Sequence, residues 1–217
     1  MKKRFISCLL LLSLSLGNAA SAAQLHALIK DQNGKPLADA VVLATPQDNK
    51  NIVLQKRHEM DQIDKEFIPH VKVVTAGSMV HFPNKDNIRH HVYSFSPAKV
   101  FELPLYSGAS ALPVLFDKSG PVVLGCNIHD WMLGYIYVAD TPYFGKSTED
   151  GKVLISNMPA GEYTVRVWHP DMKATEQSTL RTVTLEAAKD ADMEWQLAVK
   201  PVFKIPRASG SSSAAYR

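Results

Sequence analysis

The sequence contains few cysteines, no internal hydrophobic run of membrane-spanning length and, beyond its first residues, no excess of charge of either sign. Only two of its 217 residues are cysteines, Cys8 and Cys126, which excludes a framework of several disulfide bonds. No stretch after the N-terminal one approaches the roughly 20 apolar residues that a transmembrane helix needs. We find no Ser-His-Asp order, glycine-rich phosphate loop or paired carboxylate site, so hydrolytic or phosphate-transfer chemistry has no support.

The first 23 residues have the pattern of a secretory signal peptide. Basic residues at positions 2–4 precede an apolar stretch at positions 5–16, and small residues at positions 20–23 offer a cleavage site. We therefore expect export to the periplasm, with no integral membrane span after cleavage. The alternative is that this segment stays in place as a membrane anchor.

The net charge of +3 arises within that N-terminal segment. Without Lys2, Lys3 and Arg4, the 24 basic side chains of the chain fall to 21, which equals the number of acidic ones. A balanced charge gives no argument for a nucleic-acid partner. We expect the partners to be other proteins.

Signal cleavage would also leave Cys126 as the only cysteine. A lone cysteine in an exported protein forms an intermolecular disulfide, remains a reactive thiol or binds a metal. Because an unprotected thiol is readily oxidised in such a compartment, the third role is favoured.

Cys126 opens a motif that supplies three kinds of metal ligand. His129 and Met132 follow it at intervals of three, and the pair His90-His91 precedes it by 36 residues. One thiolate, two imidazoles and a weak thioether are the ligand set of a blue-copper site. Zinc is the alternative, although a thioether is a poor zinc ligand.

The residues around this motif resemble the cupredoxin (blue copper protein) family, in particular its amicyanin- and plastocyanin-like members. The resemblance covers residues 56–140 and includes Phe67-Ile68-Pro69, the segment 82–86 before the histidine pair, and Gly125-Cys126 before the loop. It implies a Greek-key β-sandwich in which His90, Cys126, His129 and Met132 bind one type 1 copper ion.

The choice between His90 and His91 is open from the residues alone. Neighbouring residues of a strand face opposite sides, so only one of them can point at the metal. The family pattern aligns His90 with the ligand and places His91 where a hydrogen-bonding residue usually lies.

The rest of the chain indicates further strands, because apolar residues alternate and no helical period persists. The class predicted is all-β. Residues 24–55 and 141–200 resemble the two halves of a carboxypeptidase-regulatory-like (transthyretin-like) sandwich, which predicts that the cupredoxin domain is inserted into a second small β-sandwich. The alternative is one enlarged cupredoxin with added edge strands. Residues 201–217, rich in Ser and Ala, are expected to form a disordered tail.

The resemblance implies a carrier that shuttles single electrons between a protein donor and a protein acceptor, and not an enzyme. A second loop cysteine for a dinuclear centre is missing, as are the His-x-His pairs of multicopper oxidases. The alternative is a protein that handles or senses copper and docks its partner through the outer sandwich. Trp131 and Leu133 beside His129 either form an apolar docking patch or, for Trp131, pack inside the sandwich.

Overall fold

A computed structural model of the chain describes residues 22–48, 56–108 and 112–201. The predicted signal peptide (residues 1–23) and the predicted tail (residues 201–217) lie almost wholly outside these ranges and stay predictions. Within them, no helix has the length and apolar character that crossing a membrane requires.

Nearly all regular structure in the described chain is β-strand, apart from one 3-10 turn at Glu176–Thr179. This confirms the predicted all-β class. The strands are, in chain order, β1 (Ala23–Asp31), β2 (Val41–Pro46), β3 (Arg57–Glu59), β4 (Asp61–Ile63), β5 (Glu66–Ile68), β6 (Val71–Thr75), β7 (Ser78–His81), β8 (His90–Ser96), β9 (Lys99–Tyr106), β10 (Val114–Phe116), β11 (Gly120–Gly125), β12 (Leu133–Ala139), β13 (Tyr143–Lys146), β14 (Lys152–Met158), β15 (Gly161–Trp168), β16 (Arg181–Leu185) and β17 (Ala191–Leu197).

Two sheets are built only from strands near the two ends of the described chain. Their strand orders are β14-β1-β17 and β13-β2-β15-β16. In β1 the alternation of apolar and polar residues turns Leu25, Ala27 and Ile29 inward. These side chains join one buried cluster whose other members, among them Val42, Val153, Ile155, Val165, Val167, Trp195 and Leu197, come from the same two sheets or lie within two residues of their strands.

Residues 57–139 form the remaining sheets. A five-stranded sheet of order β6-β12-β11-β8-β9 faces a three-stranded sheet of order β10-β7-β3, and β4 and β5 form a separate hairpin. A second buried cluster lies between them, drawn only from this part of the chain: Met60, Phe67, Val74, Val80, Phe82, Val92, Ala98, Phe116, Val122, Leu124, Cys126, Met132, Ile136 and Val138.

The two groups of sheets meet through aromatic side chains of β12. Ile136 and Val138 face the inner cluster, so the alternate residues Tyr135 and Tyr137 face outward. Their rings lie 5.9 and 5.3 Å, between centroids, from the ring of Trp168 at the end of β15. The outward face of β12 is thus packed against the outer sheets.

The strand prediction differs from the structure in two places near the site. The sequence predicts one continuous β-rich stretch from Phe67 to Thr75, whereas β5 ends at Ile68 and β6 begins at Val71 in a different sheet. Pro69 stands between them, and it has no N–H to continue a ladder. The edge strand β9 is absent from the prediction because half of its residues are exposed and it contains Pro104.

Candidate metal centre

The loop Cys126–Met132 is held at both ends by one antiparallel pair of strands. Gly125, the last residue of β11, pairs with Leu133, the first residue of β12. Inside the loop the amide of Met132 donates to the carbonyl oxygen of His129 at 2.9 Å. The ladder and this turn place the three potential ligands of the loop at one end of the sandwich.

Gly125 is required here because the ring of Tyr93 lies against its Cα. A Cβ atom at this position would lie 2.7 Å from Tyr93 Cζ, closer than side chains approach each other. The absence of a side chain lets β11 and β8 come together directly before Cys126. In this way the thiol of Cys126, directly after β11, and the ring of His90 on β8 lie close together.

The structure brings the nitrogen and sulfur donors of three predicted ligands together. Cys126 Sγ lies 4.0 Å from His90 Nδ1 and 3.7 Å from His129 Nδ1. The donor atoms of all three residues lie within 4.8 Å of one another. His90 is fully buried, and Cys126 and His129 are 3% and 9% exposed.

These separations fit a trigonal copper site. First-row metal bonds of about 2.0 Å to nitrogen and about 2.3 Å to sulfur, set at 120°, separate the two donors by about 3.7 Å. The distance from Cys126 Sγ to His129 Nδ1 matches that value, and the distance to His90 Nδ1 is slightly longer. Met132, the last residue of the same loop, is also buried, in the same apolar cluster as Cys126.

The two neighbouring histidines of β8 point in opposite directions. His90 lies on the inner side with Val92 and Ser94, which are buried too. His91 points away from the thiol, and its Nε2 lies 2.8 Å from Glu102 Oε1 on β9. Of the two histidines, only His90 therefore lies beside Cys126 and His129.

The other ring nitrogen of His90 contacts a carboxylate. His90 Nε2 lies 2.7 Å from Asp86 Oδ2, and the same carboxylate accepts the backbone amides of Asp64 and Lys65. Burial acts to raise the pKa of Asp86, but the hydrogen bonds from His90, Lys65 and Asp64 outweigh it and hold the pKa below its usual value. An ionised Asp86 has no proton to donate, so Nε2 of His90 is the donor, and in the neutral imidazole Nδ1 is then the nitrogen with the lone pair.

His129 is also in a ligand-competent state. Burial lowers its pKa, the charges of His90 and Lys65 act in the same direction, and Asp86 opposes them. The imidazole is therefore neutral near neutral pH, which is the form that binds a metal.

Sequence reasoning missed Asp86, which it treated as part of the turn that precedes β8. Its spacing of four residues from His90 was a possible signal. The spacing alone does not indicate a contact with His90, because the two amides that hold the carboxylate come from the β4–β5 hairpin, more than 20 residues earlier in the chain. Asn84 was missed for the same reason: it is buried, and its side-chain amide donates to the carbonyl oxygens of Ile88 and Tyr106.

Exposed apolar side chains lie next to His129, the most exposed of the three donor residues. The ring of Trp131 lies 5.4 Å from that of His129, between centroids, and Trp131 is 43% exposed. Ile128 and Leu133 beside it are exposed to a similar extent. From the sequence, Trp131 is expected either to form an apolar surface patch or to pack inside the sandwich. The structure places it at the surface, partly exposed, and not inside the sandwich.

No family model and no curated protein matches this chain. Among solved structures, a purple cupredoxin from Nitrosopumilus maritimus is 19% identical, with a TM-score of 0.34, and the match covers 39% of this chain and 100% of that one. A reduced Cu(I) form of an amicyanin variant is 18% identical, with a TM-score of 0.36 and coverage of 44% and 98%. A copper-containing nitrite reductase from Thermus scotoductus is 23% identical, with a TM-score of 0.37, and the match covers 45% of this chain but only 26% of the reductase. These TM-scores are too low to assign a family to the chain.

Proposed function

We propose that this chain is an exported copper protein that carries single electrons between two redox proteins through one mononuclear site. The observation that carries the proposal is the convergence of the buried Cys126 thiol with the Nδ1 atoms of His90 and His129. Met132 completes the set as the weak ligand. Copper bound there would alternate between Cu(I) and Cu(II), since thiolate and thioether suit the first state and imidazole suits both.

The protein's own contribution is a site that changes little between the two states. His90 is held by its strand and by Asp86, and Cys126 and Met132 lie next to the same end of the β11–β12 strand pair, directly after Gly125 and directly before Leu133. Since these side chains are already buried and oriented, a change of charge at the site requires little rearrangement of protein or water. This property suits electron transfer without bond making.

Burial of the donors supports a carrier over a protein that hands copper to others. Ligand exchange with a partner needs an accessible thiolate, whereas Cys126 is almost completely buried. The proposed role is that of a carrier and not of an enzyme, with His129 and the apolar residues Ile128, Trp131 and Leu133 as the surface that meets a redox partner.

We further propose that residues 56–140 form a cupredoxin domain inserted between residues 24–55 and 141–200. Two buried clusters that share no strands support this division. The likeness of the outer segments to carboxypeptidase-regulatory-like sandwiches and a periplasmic location remain predictions from the sequence.

Copper loading of the chain without residues 1–23 tests the function. We expect an intense visible charge-transfer band with Cu(II) that disappears on reduction and returns on oxidation. Cys126→Ser should abolish the band, whereas Ser94→Ala, a change at another buried residue of the inner side of β8, should keep it. A colourless Cu(II) form, or colour that survives Cys126→Ser, would overturn the proposal.

A further inference from the structure

Asp86 occupies a position between the candidate metal centre and the β4–β5 hairpin. Its side chain is 13% exposed, and both carboxylate oxygens are engaged. Oδ1 accepts the amide of Asp64 at 2.7 Å, and Oδ2 accepts the amide of Lys65 at 2.9 Å together with Nε2 of His90 at 2.7 Å. The carboxylate is thus fixed by three donors.

The hairpin turn is shaped to present these two amides. Asp64 and Lys65 have φ values of 53° and 61°, the left-handed pair that a two-residue β-hairpin turn requires. Asp86 is held from its own side as well, because its amide donates to Asn84 Oδ1 at 2.9 Å. Such a carboxylate cannot turn away from His90 without breaking several hydrogen bonds.

A fixed anion beside an imidazole N–H changes the properties of the opposite ring nitrogen as a metal ligand. The hydrogen bond from Nε2 to the carboxylate keeps the ring in one tautomer and raises the basicity of Nδ1. A stronger and more negative donor environment stabilises Cu(II) more than Cu(I), because the former carries the larger charge.

We propose that Asp86 is a positioning residue that fixes the tautomer of His90 and lowers the reduction potential of the metal centre. This inference rests on the proposed function. One electron enters or leaves the centre, and no bond to Asp86 is made or broken.

The primary test replaces Asp86 by Asn, which keeps the shape and removes the charge. Loss of an outer hydrogen-bond partner typically lowers metal affinity by roughly 10- to 100-fold. If that loss falls on Cu(II), the potential rises by roughly 59 to 118 mV, at about 59 mV per tenfold change in a one-electron couple. Protein-film voltammetry and competition titrations with each copper oxidation state measure the two effects.

Asp64→Asn is the matched control. It removes an equal charge from the hairpin turn that Asp86 contacts, and Asn tolerates a left-handed backbone, so the backbone amide that Asp86 accepts is kept. The potential should stay close to that of the parent protein. Equal shifts in both variants, or no shift in Asp86→Asn, would overturn the inference and leave Asp86 a structural residue.

Two further measurements keep the test decisive if Asp86→Asn does not fold. Asp86→Glu retains the charge and should lower the potential toward the parent value relative to any neutral replacement that folds. Nitrogen-15 NMR of the metal-free parent protein, recorded at a pH at which the ring of His90 is neutral, should show its proton on Nε2, and a neutral ring with its proton on Nδ1 contradicts the inference. The NMR result does not depend on copper, so failure of the electron-carrier proposal and failure of the role of Asp86 are distinguishable.

Discussion

His91 Nε2 lies 2.8 Å from Glu102 Oε1 across strands β8 and β9, while the adjacent His90 turns its ring to the thiol of Cys126. Alternation of side chains along a strand makes the two histidines mutually exclusive partners of the site. The residues alone leave the choice between the two open, the family pattern favours His90, and in the structure it is His90 that lies beside Cys126.

We predict that His91→Gln keeps the copper charge-transfer band and that His90→Gln removes it. Glutamine at position 91 can still contact Glu102, whereas loss of His90 removes a ligand. The loss of copper affinity in the second variant should exceed the roughly 10- to 100-fold typical of outer-shell changes. Visible absorption and competition titration measure both, and the assignment of His90 fails if only the change at position 91 removes the band.

Met132→Leu should raise the reduction potential and leave the fold stable. The thioether tunes the potential as the axial ligand, and the replacement conserves volume, so the unfolding free energy should change by less than about 1.5 kcal/mol. Met158→Leu is the control, because Met158 is fully buried in the outer sheets, far from the loop in the chain. Equal potentials in the two variants would argue against a role for Met132 as a ligand.

Trp131→Ser should slow electron exchange without altering the copper spectrum. Trp131 is partly exposed beside His129, so its loss weakens partner contact and not the ligand set. We expect a decrease in the rate of about tenfold, equivalent to about 1.4 kcal/mol. Self-exchange measured by NMR line broadening provides the rate. Phe95→Ser changes a residue that is 80% exposed on β8, and an equal decrease there would show that the effect is not specific to the loop.

Tyr137→Phe should destabilise the contact between the two groups of sheets. The Tyr137 hydroxyl donates to Glu176 Oε2 at 2.6 Å, and burial, followed by Glu176, raises its pKa, so it stays protonated. Loss of a hydrogen bond to a charged group should cost about 1.5–3 kcal/mol, measured by chemical denaturation of the metal-free protein. Tyr163→Phe removes a bond to the neutral carbonyl oxygen of Pro159 and should cost about 0.5–1.5 kcal/mol. A larger loss of unfolding free energy in Tyr163→Phe than in Tyr137→Phe would contradict this prediction.

The stability of the metal-free protein should decrease as the pH falls below about 6.5. Burial lowers the pKa of His169 in the folded state, against a weaker opposing effect of Asp171. As the pH decreases, His169 therefore binds a proton in the unfolded state at a higher pH than in the folded state. The contribution of His169 to stability is complete above the unfolded pKa of 6.5 and is lost as the pH falls below it. Both ring nitrogens of His169 are engaged in hydrogen bonds that suit the neutral ring: Nε2 donates to the Ala38 carbonyl oxygen, and Nδ1 accepts the amide of Asp171.

Thermal unfolding between about pH 7.5 and pH 5 measures this dependence. His169→Gln should reduce its slope, and His26→Gln, at an exposed histidine of β1, is the control. The slope should not vanish, because burial also lowers the pKa of His58 and His129. A slope unchanged by His169→Gln would contradict the assignment.

The features that the sequence by itself determined are those that the covalent chain carries locally. Alternating apolar residues led to the correct all-β class, and the spacing of Cys126, His129 and Met132 indicated a single loop able to surround one ion. Cysteine counting pointed independently to Cys126. Short intervals along a chain limit distances whatever the rest of the molecule does, so such inferences need no knowledge of packing.

The tertiary structure alone decided which side chains meet across long separations. It turned His90 and not His91 to Cys126, 36 residues away, and it brought the Asp64–Lys65 turn to Asp86, about 22 residues further along. It also packed Trp168 onto Tyr137. The physical reason is that these contacts depend on strand order and on which face of each strand is buried, and neither quantity is set by the residues of one segment.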